Sequence, residues 1–211
     1  MDDSHETEEM LRRVAHGDMQ EWGALLERHR KRLRRMVALR LDRRLHGRLD
    51  ASDVIQEAYL EATARLPEYL HEPAMPFFLW LRFLTGQKVM ELHRRHLGVQ
   101  ARDAGREVAL CRGCLPEATS AALAAHLLGH DTRPSEAAIR AERKLRLQEA
   151  LNNMDPLDRE VLALRHFEQL NNAETARVLG LQPSAASKRY VRALTRLKEI
   201  LTSLPGCAGG M

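Results

Sequence analysis

The stretch LNNAETARVLGLQPSAASKRYVRAL, residues 170–194, predicts two short helices joined by a tight turn. Asn171 is a good N-cap for the first helix, and Glu174 three residues later completes a capping-box pair. Gly180 stands where a helix C-terminus favours a left-handed residue, and Pro183 suits the first position of a second helix. This arrangement is typical of a DNA-binding helix-turn-helix.

Each of these two helices is expected to have an inward and an outward face. In the first, Ala173, Ala176 and Leu179 recur every three residues and are expected to face inward. In the second, the residues expected to face the core are Ala186, Tyr190, Leu194, Leu197 and Leu201. Short donors and long cations occupy its opposite face, namely Ser184, Ser187, Lys188, Arg192 and Thr195. Such groups meet base edges and phosphates in a major groove, although a solvated basic face is the alternative.

Composition favours an all-helical protein. The 211 residues are enough for two small domains, aromatic residues are few at 4%, and no alternating Val/Ile/Thr-rich runs occur. The net charge is +4, and three cysteines, an odd count, do not suggest a disulfide framework. The acidic N-terminus is no signal peptide, and no apolar run approaches membrane-spanning length. A soluble cytoplasmic protein without a membrane partner is therefore expected.

The segment DPLDREVLALRHFEQL, residues 155–170, precedes the helix-turn-helix and opens with a cap and a proline, Asp155 and Pro156. From Leu151 to Leu201 the chain resembles region 4 of a sigma factor, the subunit that gives bacterial RNA polymerase its promoter. The resemblance lies in REVLALRHFEQL, AETARVLGL and SAASKRYVRALTRL, and it implies a domain that reads the minus-35 promoter element. The implied base-contacting candidates are Ser184, Ser187, Lys188 and Arg192, with Arg165 and Arg189 for bases or backbone.

A second segment, DASDVIQEAYLEA from residue 50, predicts a helix with an unusual outer ridge. Its outer positions, at i, i+3, i+4 and i+7, are Asp53, Gln56, Glu57 and Leu60. An exposed leucine among carboxylates suggests a helix-docking surface, with a solvated face as the alternative. The segment is similar to region 2.2 of sigma factors, which binds the clamp of the largest polymerase subunit. The resemblance implies that these four residues bind core RNA polymerase.

The stretch PFFLWLRFLTGQKVMELHRRHLG, residues 76–98, has an apolar body and a basic exit. It resembles regions 2.3 and 2.4 of sigma factors, which capture and melt the minus-10 element. That task needs a pocket for an extruded base and cations along the displaced strand. The residues implied to bind minus-10 DNA are Arg82, Gln87, Lys88, Arg94 and Arg95. A core helix with solvated ends is the alternative.

Two small helical domains joined by a linker are therefore expected: a region 2 helical bundle and a region 4 helix-turn-helix. The expected boundaries are 1–98 for region 2, 99–134 for the linker, 135–203 for region 4 and 204–211 for a disordered tail. A short linker helix is expected near 117–128. The next helix is expected to carry Ile139, Leu145 and Leu151 into the second core.

Taken together, the two segments resemble an extracytoplasmic-function (ECF) sigma factor, which binds core RNA polymerase and promoter DNA. No catalytic residue and no cofactor are expected, because the chemistry belongs to the polymerase. Whether an anti-sigma factor also binds is left open. The alternative function is a stand-alone helix-turn-helix regulator, which would leave the ridge in DASDVIQEAYLEA unexplained.

A zinc- or redox-sensing protein is another alternative. Cys111, Cys114, His126 and His130 have a spacing close to a two-cysteine, two-histidine zinc site. The residues between them lack the aromatic core that such a finger needs, so no metal is expected.

Overall fold

The computed structural model describes residues 2–45, 50–97, 118–128 and 137–203. Within these ranges every regular element is a helix, which confirms the predicted all-α fold. The chain divides into two compact units, an N-terminal unit Met1–Leu115 and a C-terminal unit Pro116–Met211.

The described residues of the N-terminal unit form four long helices. They are α1 (Asp2–Ala15), α2 (Met19–Arg40), α3 (Ala51–His71) and α4 (Phe77–Leu97), with a 3₁₀ turn at Arg43–Leu45. The helix α2 packs against the other three, and α3 packs along α4. Fully buried aliphatic side chains fill the core, among them Leu25, Leu33, Met36, Ile55 and Leu81. Each such side chain stabilises the fold by about 1.5–3 kcal/mol relative to its exposed form.

The described residues of the C-terminal unit form five helices, of which α9 is the longest. They are α5 (Ser120–Leu127), α6 (Ala137–Asn152), α7 (Pro156–Leu162), α8 (Asn172–Leu179) and α9 (Pro183–Ser203). A π-helical turn, Ala163–Phe167, continues α7. The helix α9 packs against α6, α7 and α8, and α5 packs on α6. The long helix α9 is therefore the element on which α6, α7 and α8 converge.

The linker helix belongs to the C-terminal unit. The helix expected near 117–128 is α5, and Thr119 caps it by accepting a hydrogen bond from the Ala122 amide. The backbone amide of Ala118 donates to Glu160 Oε2 over 3.2 Å, which ties the start of this segment to α7. Residues 99–117 and 129–134 of the expected linker, and the expected tail 204–211, lie outside the described residues. The predicted domain boundaries stay predictions.

Several inward faces differ from the expected ones. Ala173 is exposed, because α8 buries the neighbouring stripe that contains Ala176 and Leu179. In α9, Leu194 is exposed while Ala193 is fully buried. Small alanines occupy the face of α9 that other helices approach closely, so the larger leucine lies outside it.

The helix α6 also differs from its prediction. Ile139 and Leu145 are exposed, and only Leu151 of the three expected residues is buried. The buried pair is Leu147 and Leu151, one turn apart at i and i+4. The spacing 139–145–151 is six residues and does not follow a single face of a helix with 3.6 residues per turn.

Candidate protein and nucleic-acid interfaces

The α3 ridge, formed by Asp53, Gln56, Glu57 and Leu60, lies on the surface of the N-terminal unit. All four residues are exposed, and Leu60 exposes 73% of its surface. The opposite face of α3 is fixed in the core by Val54, Ile55 and Ala58, each at most 1% exposed. Packing of that inner face sets the rotation of the helix, so the ridge must point outward. The predicted location of the ridge is confirmed, while its binding role stays a prediction.

Asp53 has a structural task as well as an exposed position. Its Oδ2 accepts a hydrogen bond from the Asp50 amide over 3.2 Å, and Asp50 caps α3 in return. Together the two residues form a capping box. Substitution of Asp53 would therefore weaken the start of α3, whereas Glu57 and Leu60 can be changed without touching the cap.

The α4 exit, formed by Gln87, Arg94 and Arg95, is the part of the predicted minus-10 surface that is exposed. Arg94 and Arg95 lie in the last turn of α4, where cations are favoured by the helix dipole. Arg95 also pairs with Glu91 of the same helix, Nη2 to Oε1 at 2.6 Å. The exit thus presents one polar and two cationic side chains.

Arg82 and Lys88 are not part of this surface, which corrects the prediction. Arg82 is only 4% exposed, because it follows the apolar run FFLWL on a helix that is buried on most sides. The Nζ of Lys88 lies 3.6 Å from a carboxylate oxygen of both Glu61 and Glu91. Lys88 therefore links α4 to α3, and its charge is directed at those carboxylates.

A contact that the sequence did not reveal fixes the end of α4. His93 Nε2 accepts a hydrogen bond from the Asp42 amide over 3.1 Å, joining α4 to the segment after α2. Burial lowers the pKa of His93, which favours the neutral ring that can accept this bond. Hydrogen bonds from the Arg44 side chain and amide lower the pKa of Asp42 to about 2. The base of the α4 exit is thus anchored by a neutral histidine.

The helix-turn-helix forms as the sequence predicts. Asn171 and Glu174 make a capping box, and Gly180 ends α8 with a left-handed φ of 64°. The Nδ2 of Asn172 donates to the Pro183 carbonyl over 2.8 Å, so the start of α8 is tied to the start of α9. This side-chain bond, which the sequence analysis did not predict, holds the first turn of α9 in place.

The α9 face, formed by Ser184, Ser187, Lys188 and Val191, is the exposed side of the first half of α9. Ser184, Ser187 and Lys188 are exposed as predicted. Val191, which was not predicted, is 60% exposed and lies three residues beyond Lys188 on the same side. Hydroxyls and an ammonium suit base edges and phosphates, and an apolar side chain suits a thymine methyl group.

Arg165 braces the C-terminal unit from within. Its Nη1 donates to the Leu170 carbonyl over 2.9 Å, and its guanidinium lies 4.9 Å from the centre of the Tyr190 ring. The side chain is half-buried and directed at α9. The structure thus uses Arg165 as an internal donor, in contrast to its predicted place at the DNA.

Arg189 and Arg192, predicted to contact DNA, both bind a carboxylate of α7, although the Arg192 side chain is 61% exposed; their contact with DNA stays a prediction. Arg192 donates from Nε and Nη2 to the two carboxylate oxygens of Asp158, both at 2.9 Å. Arg189 donates from Nη1 to Asp158 Oδ1 over 2.8 Å. Burial alone would raise the pKa of Asp158, but the bonds from Arg192 and Arg189 outweigh it, and the pKa lies below its usual range.

Metal-binding groups and membrane-spanning helices were sought among the described residues. Among the described residues, no group of three or more histidine, cysteine, aspartate or glutamate side chains could hold a metal ion. Cys111, Cys114 and His130 lie outside those residues. His126 places Nδ1 3.0 Å from the Ala122 carbonyl and contacts the Phe167 ring. No helix in the described ranges has the length and apolar character to cross a membrane.

Comparison with known proteins finds similar sequences and one similar fold. The family model for sigma-70, region 4 matches residues 144–197, which run from α6 to α9. The ECF RNA polymerase sigma factor SigD of Mycobacterium tuberculosis (strain ATCC 25618 / H37Rv) is 34% identical over 151 residues. That alignment covers 72% of this chain and 63% of SigD, so the chain spans less than two thirds of this relative.

Two further similarities extend over almost the whole chain. The RNA polymerase sigma factor NccH of Alcaligenes xylosoxydans xylosoxydans is 26% identical over 210 residues, 96% of this chain and 98% of NccH. The solved structure of CnrH, in complex with the cytosolic domain of CnrY, has a TM-score of 0.52 and 22% identity. It covers 92% of this chain and 96% of CnrH, and it shows a shared fold. The sequence matches show that residues 144–197 match sigma-70 region 4 and that the chain is similar to RNA polymerase sigma factors, the ECF factor SigD among them.

Proposed function

We propose that this chain is a sigma factor that binds core RNA polymerase and directs transcription initiation at specific promoters. The observation that carries the proposal is the α9 face. It combines exposed hydroxyls and a lysine on the second helix of a helix-turn-helix, within the residues that match sigma-70 region 4. In proteins of this type the second helix enters the major groove and places its N-terminal residues against base edges.

The α3 ridge is the proposed contact with the polymerase. Leu60 is 73% exposed, and burying its apolar side chain against a partner is favourable. The neighbouring carboxylate and amide groups favour a basic partner. The relatives SigD and NccH are RNA polymerase sigma factors, which supports the same partner here. In this proposal Glu57 and Leu60 supply the binding energy on the clamp of the largest subunit, and Asp53 both caps the helix and adds charge.

The α4 exit and the α9 face are proposed to bind two different elements of the promoter. The α4 exit contacts the minus-10 element, where Gln87 can read an extruded base and the two arginines follow the displaced strand. The α9 face contacts the minus-35 element in the major groove. In this proposal Arg189 and Arg192 do not contact bases, because both bind Asp158.

Two parts of the proposal rest on the family alone. Regulation by an anti-sigma factor stays a prediction, and the proposed partners place the chain in the cytoplasm. The protein itself supplies no catalytic group in this account, since the polymerase performs the chemistry.

Retention of genomic DNA fragments distinguishes this proposal from a stand-alone regulator. Tagged chain would be mixed with sheared DNA of the source organism, with and without core RNA polymerase, and the retained fragments sequenced. The proposal predicts a defined set of fragments that is enriched only when core polymerase is present. Equal enrichment of that set by the chain alone would favour the regulator, for which the α3 ridge has no use.

A further inference from the structure

One buried carboxylate in the C-terminal unit binds two arginines of the proposed recognition helix. The side chain of Asp158 is 9% exposed and accepts three hydrogen bonds, two from Arg192 and one from Arg189. Bidentate arginine–carboxylate pairs are geometrically specific as well as strong. The carboxylate therefore fixes the positions of both guanidinium groups.

The position of Asp158 at the start of α7 stabilises its negative charge and so strengthens its interaction with the two arginines. Asp158 lies in the first turn of α7, where the helix dipole favours negative charge, and Asp155 caps the same helix. The Asp155 carboxylate is itself 3.7 Å from Arg189. The acidic start of α7 thus faces the basic flank of α9 within the C-terminal unit.

The part of α9 that carries the α9 face is packed through small side chains. Its fully buried residues there are Ala186 and Ala193, whereas the larger buried residues, Leu197 and Ile200, lie further along the helix. Alanines offer little steric resistance to a local roll of the helix, since ridges of larger side chains normally set the packing angle. Arg189 and Arg192, three residues apart on one flank, supply two fixed points that oppose the roll.

We propose that Asp158 is a positioning residue for promoter recognition: by holding Arg189 and Arg192 against α7, it aims the α9 face at the bases and withholds both arginines from DNA phosphates. This inference rests on the proposed function. It assigns Arg189 and Arg192 to specificity through position and assigns the base contacts to Ser184, Ser187 and Lys188.

Substitution of Asp158 by asparagine should then shift binding from specific to non-specific. Discrimination between promoter and unrelated DNA should fall about tenfold, the loss of roughly one good base contact. Affinity for unrelated DNA should stay level or rise, since released arginines can pair with phosphates. The slope of log affinity against log salt should steepen by up to roughly 2, about 0.9 for each new phosphate contact.

The experiment uses holoenzyme assembled from core RNA polymerase and the full chain. The first probe is a short duplex around the strongest start site that wild-type holoenzyme produces on genomic DNA. The second is a duplex of equal length and composition with the sequence shuffled. Affinity for each probe would be measured by fluorescence anisotropy over a range of salt concentrations, for wild type, Asp158→Asn and Asp158→Glu.

Glu199→Gln is the matched control. It removes the same charge and breaks the bond to Arg196, a pair exposed on both sides that lies within α9 and joins no other helix. It should leave discrimination and salt slope unchanged. Asp158→Glu keeps the charge and should restore most of the discrimination that Asp158→Asn loses.

Arg192→Gln keeps the inference testable should Asp158→Asn lose its helical circular dichroism. It leaves Asp158 with its bond from Arg189, and it should lower discrimination without making the salt slope shallower. A slope shallower by about 0.9 would mean that Arg192 contacts a phosphate, and the inference would then be wrong.

Two failures can be told apart. If wild-type holoenzyme prefers the promoter probe and Asp158→Asn prefers it equally, with the same salt slope, the positioning role is refuted and the proposed function stands. If wild-type holoenzyme shows no preference for any DNA, the proposed function fails and the inference fails with it.

Discussion

The α3 ridge of the N-terminal unit and the α7–α9 cluster of the C-terminal unit use charge in opposite ways. On the ridge, Glu57 is exposed and lies beside an exposed leucine. In the cluster, Asp158 is buried and binds two arginines from another helix. Charges of the first kind are available to a partner, whereas charges of the second kind hold the fold. The difference predicts that ridge variants change binding alone, and that cluster variants change both binding and stability.

The largest expected effect is at the ridge. The double variant Glu57→Lys with Leu60→Asp should lose about 2–4 kcal/mol of core polymerase binding, as for a central interface anchor. Its free energy of unfolding should stay within about 0.5 kcal/mol of wild type, because both residues are exposed and the Asp50–Asp53 cap is intact. Pull-down of core enzyme and urea denaturation measure the two quantities.

Glu68→Lys is the control for that variant. Glu68 is exposed on the same helix but lies two turns beyond Leu60. It should bind core polymerase as wild type does. Normal pull-down by the double variant would show that the ridge is a solvated helix face.

The next effect concerns the α9 face. Lys188→Ala should weaken promoter binding of the holoenzyme by about 1–3 kcal/mol, the worth of one base-reading contact, with unfolding unaffected. Lys198→Ala removes the same charge from an exposed site near the other end of α9 and should have little effect. Equal losses from the two lysine variants, measured by anisotropy, would mean that only overall charge matters.

A smaller effect on stability is expected at the cluster. Asp158→Asn should lower the free energy of unfolding by about 1–2 kcal/mol at pH 7. The loss is no larger because the Arg192 side chain is 61% exposed and solvent screens its charge. Because the folded pKa of Asp158 lies below its ordinary value of 3.8, its contribution is present above about pH 4. It is lost as pH falls through the folded pKa. The difference between wild type and variant in urea midpoint should therefore shrink from pH 7 to pH 3; a constant difference would contradict the ion pairing.

The smallest effect is expected at His93. Its folded pKa lies below 6.5, so its neutral form stabilises the fold above that pH, and the contribution is lost as pH falls through the folded pKa. His93→Gln should remove part of the decrease in Tm between pH 7.5 and pH 5.5. An identical decrease in wild type and variant would show that the bond from the Asp42 amide does not depend on protonation.

Local signals in the sequence predicted the helix ends and the exposed surfaces. Capping residues such as Asp50 and Asn171, and the left-handed Gly180, act within a few residues of their position. The 3.6-residue period likewise placed Leu60 outside, because one face of α3 is apolar enough to fix its orientation.

The sequence-based predictions failed or were incomplete where residues distant in sequence determine which side chains are buried or paired. The bonds of Arg189 and Arg192 to Asp158, which lies 31 and 34 residues away, could not be predicted from the local pattern. Arg82 looked like a surface cation, although its apolar neighbours on both sides indicate a helix with little exposed face. In α9, which of the neighbours Ala193 and Leu194 is buried depends on how closely the other helices approach, and this distance is not visible in the sequence.

Mapping of transcription start sites with purified components tests the central claim most directly. Core polymerase would be incubated with genomic DNA fragments and the full chain, its ridge variant or its Lys188→Ala variant, and RNA 5′ ends sequenced. The account predicts defined starts with the wild-type chain, none with the ridge variant and weaker ones at the same places with Lys188→Ala. Absence of defined starts with wild type, or undiminished starts with the ridge variant, would contradict it.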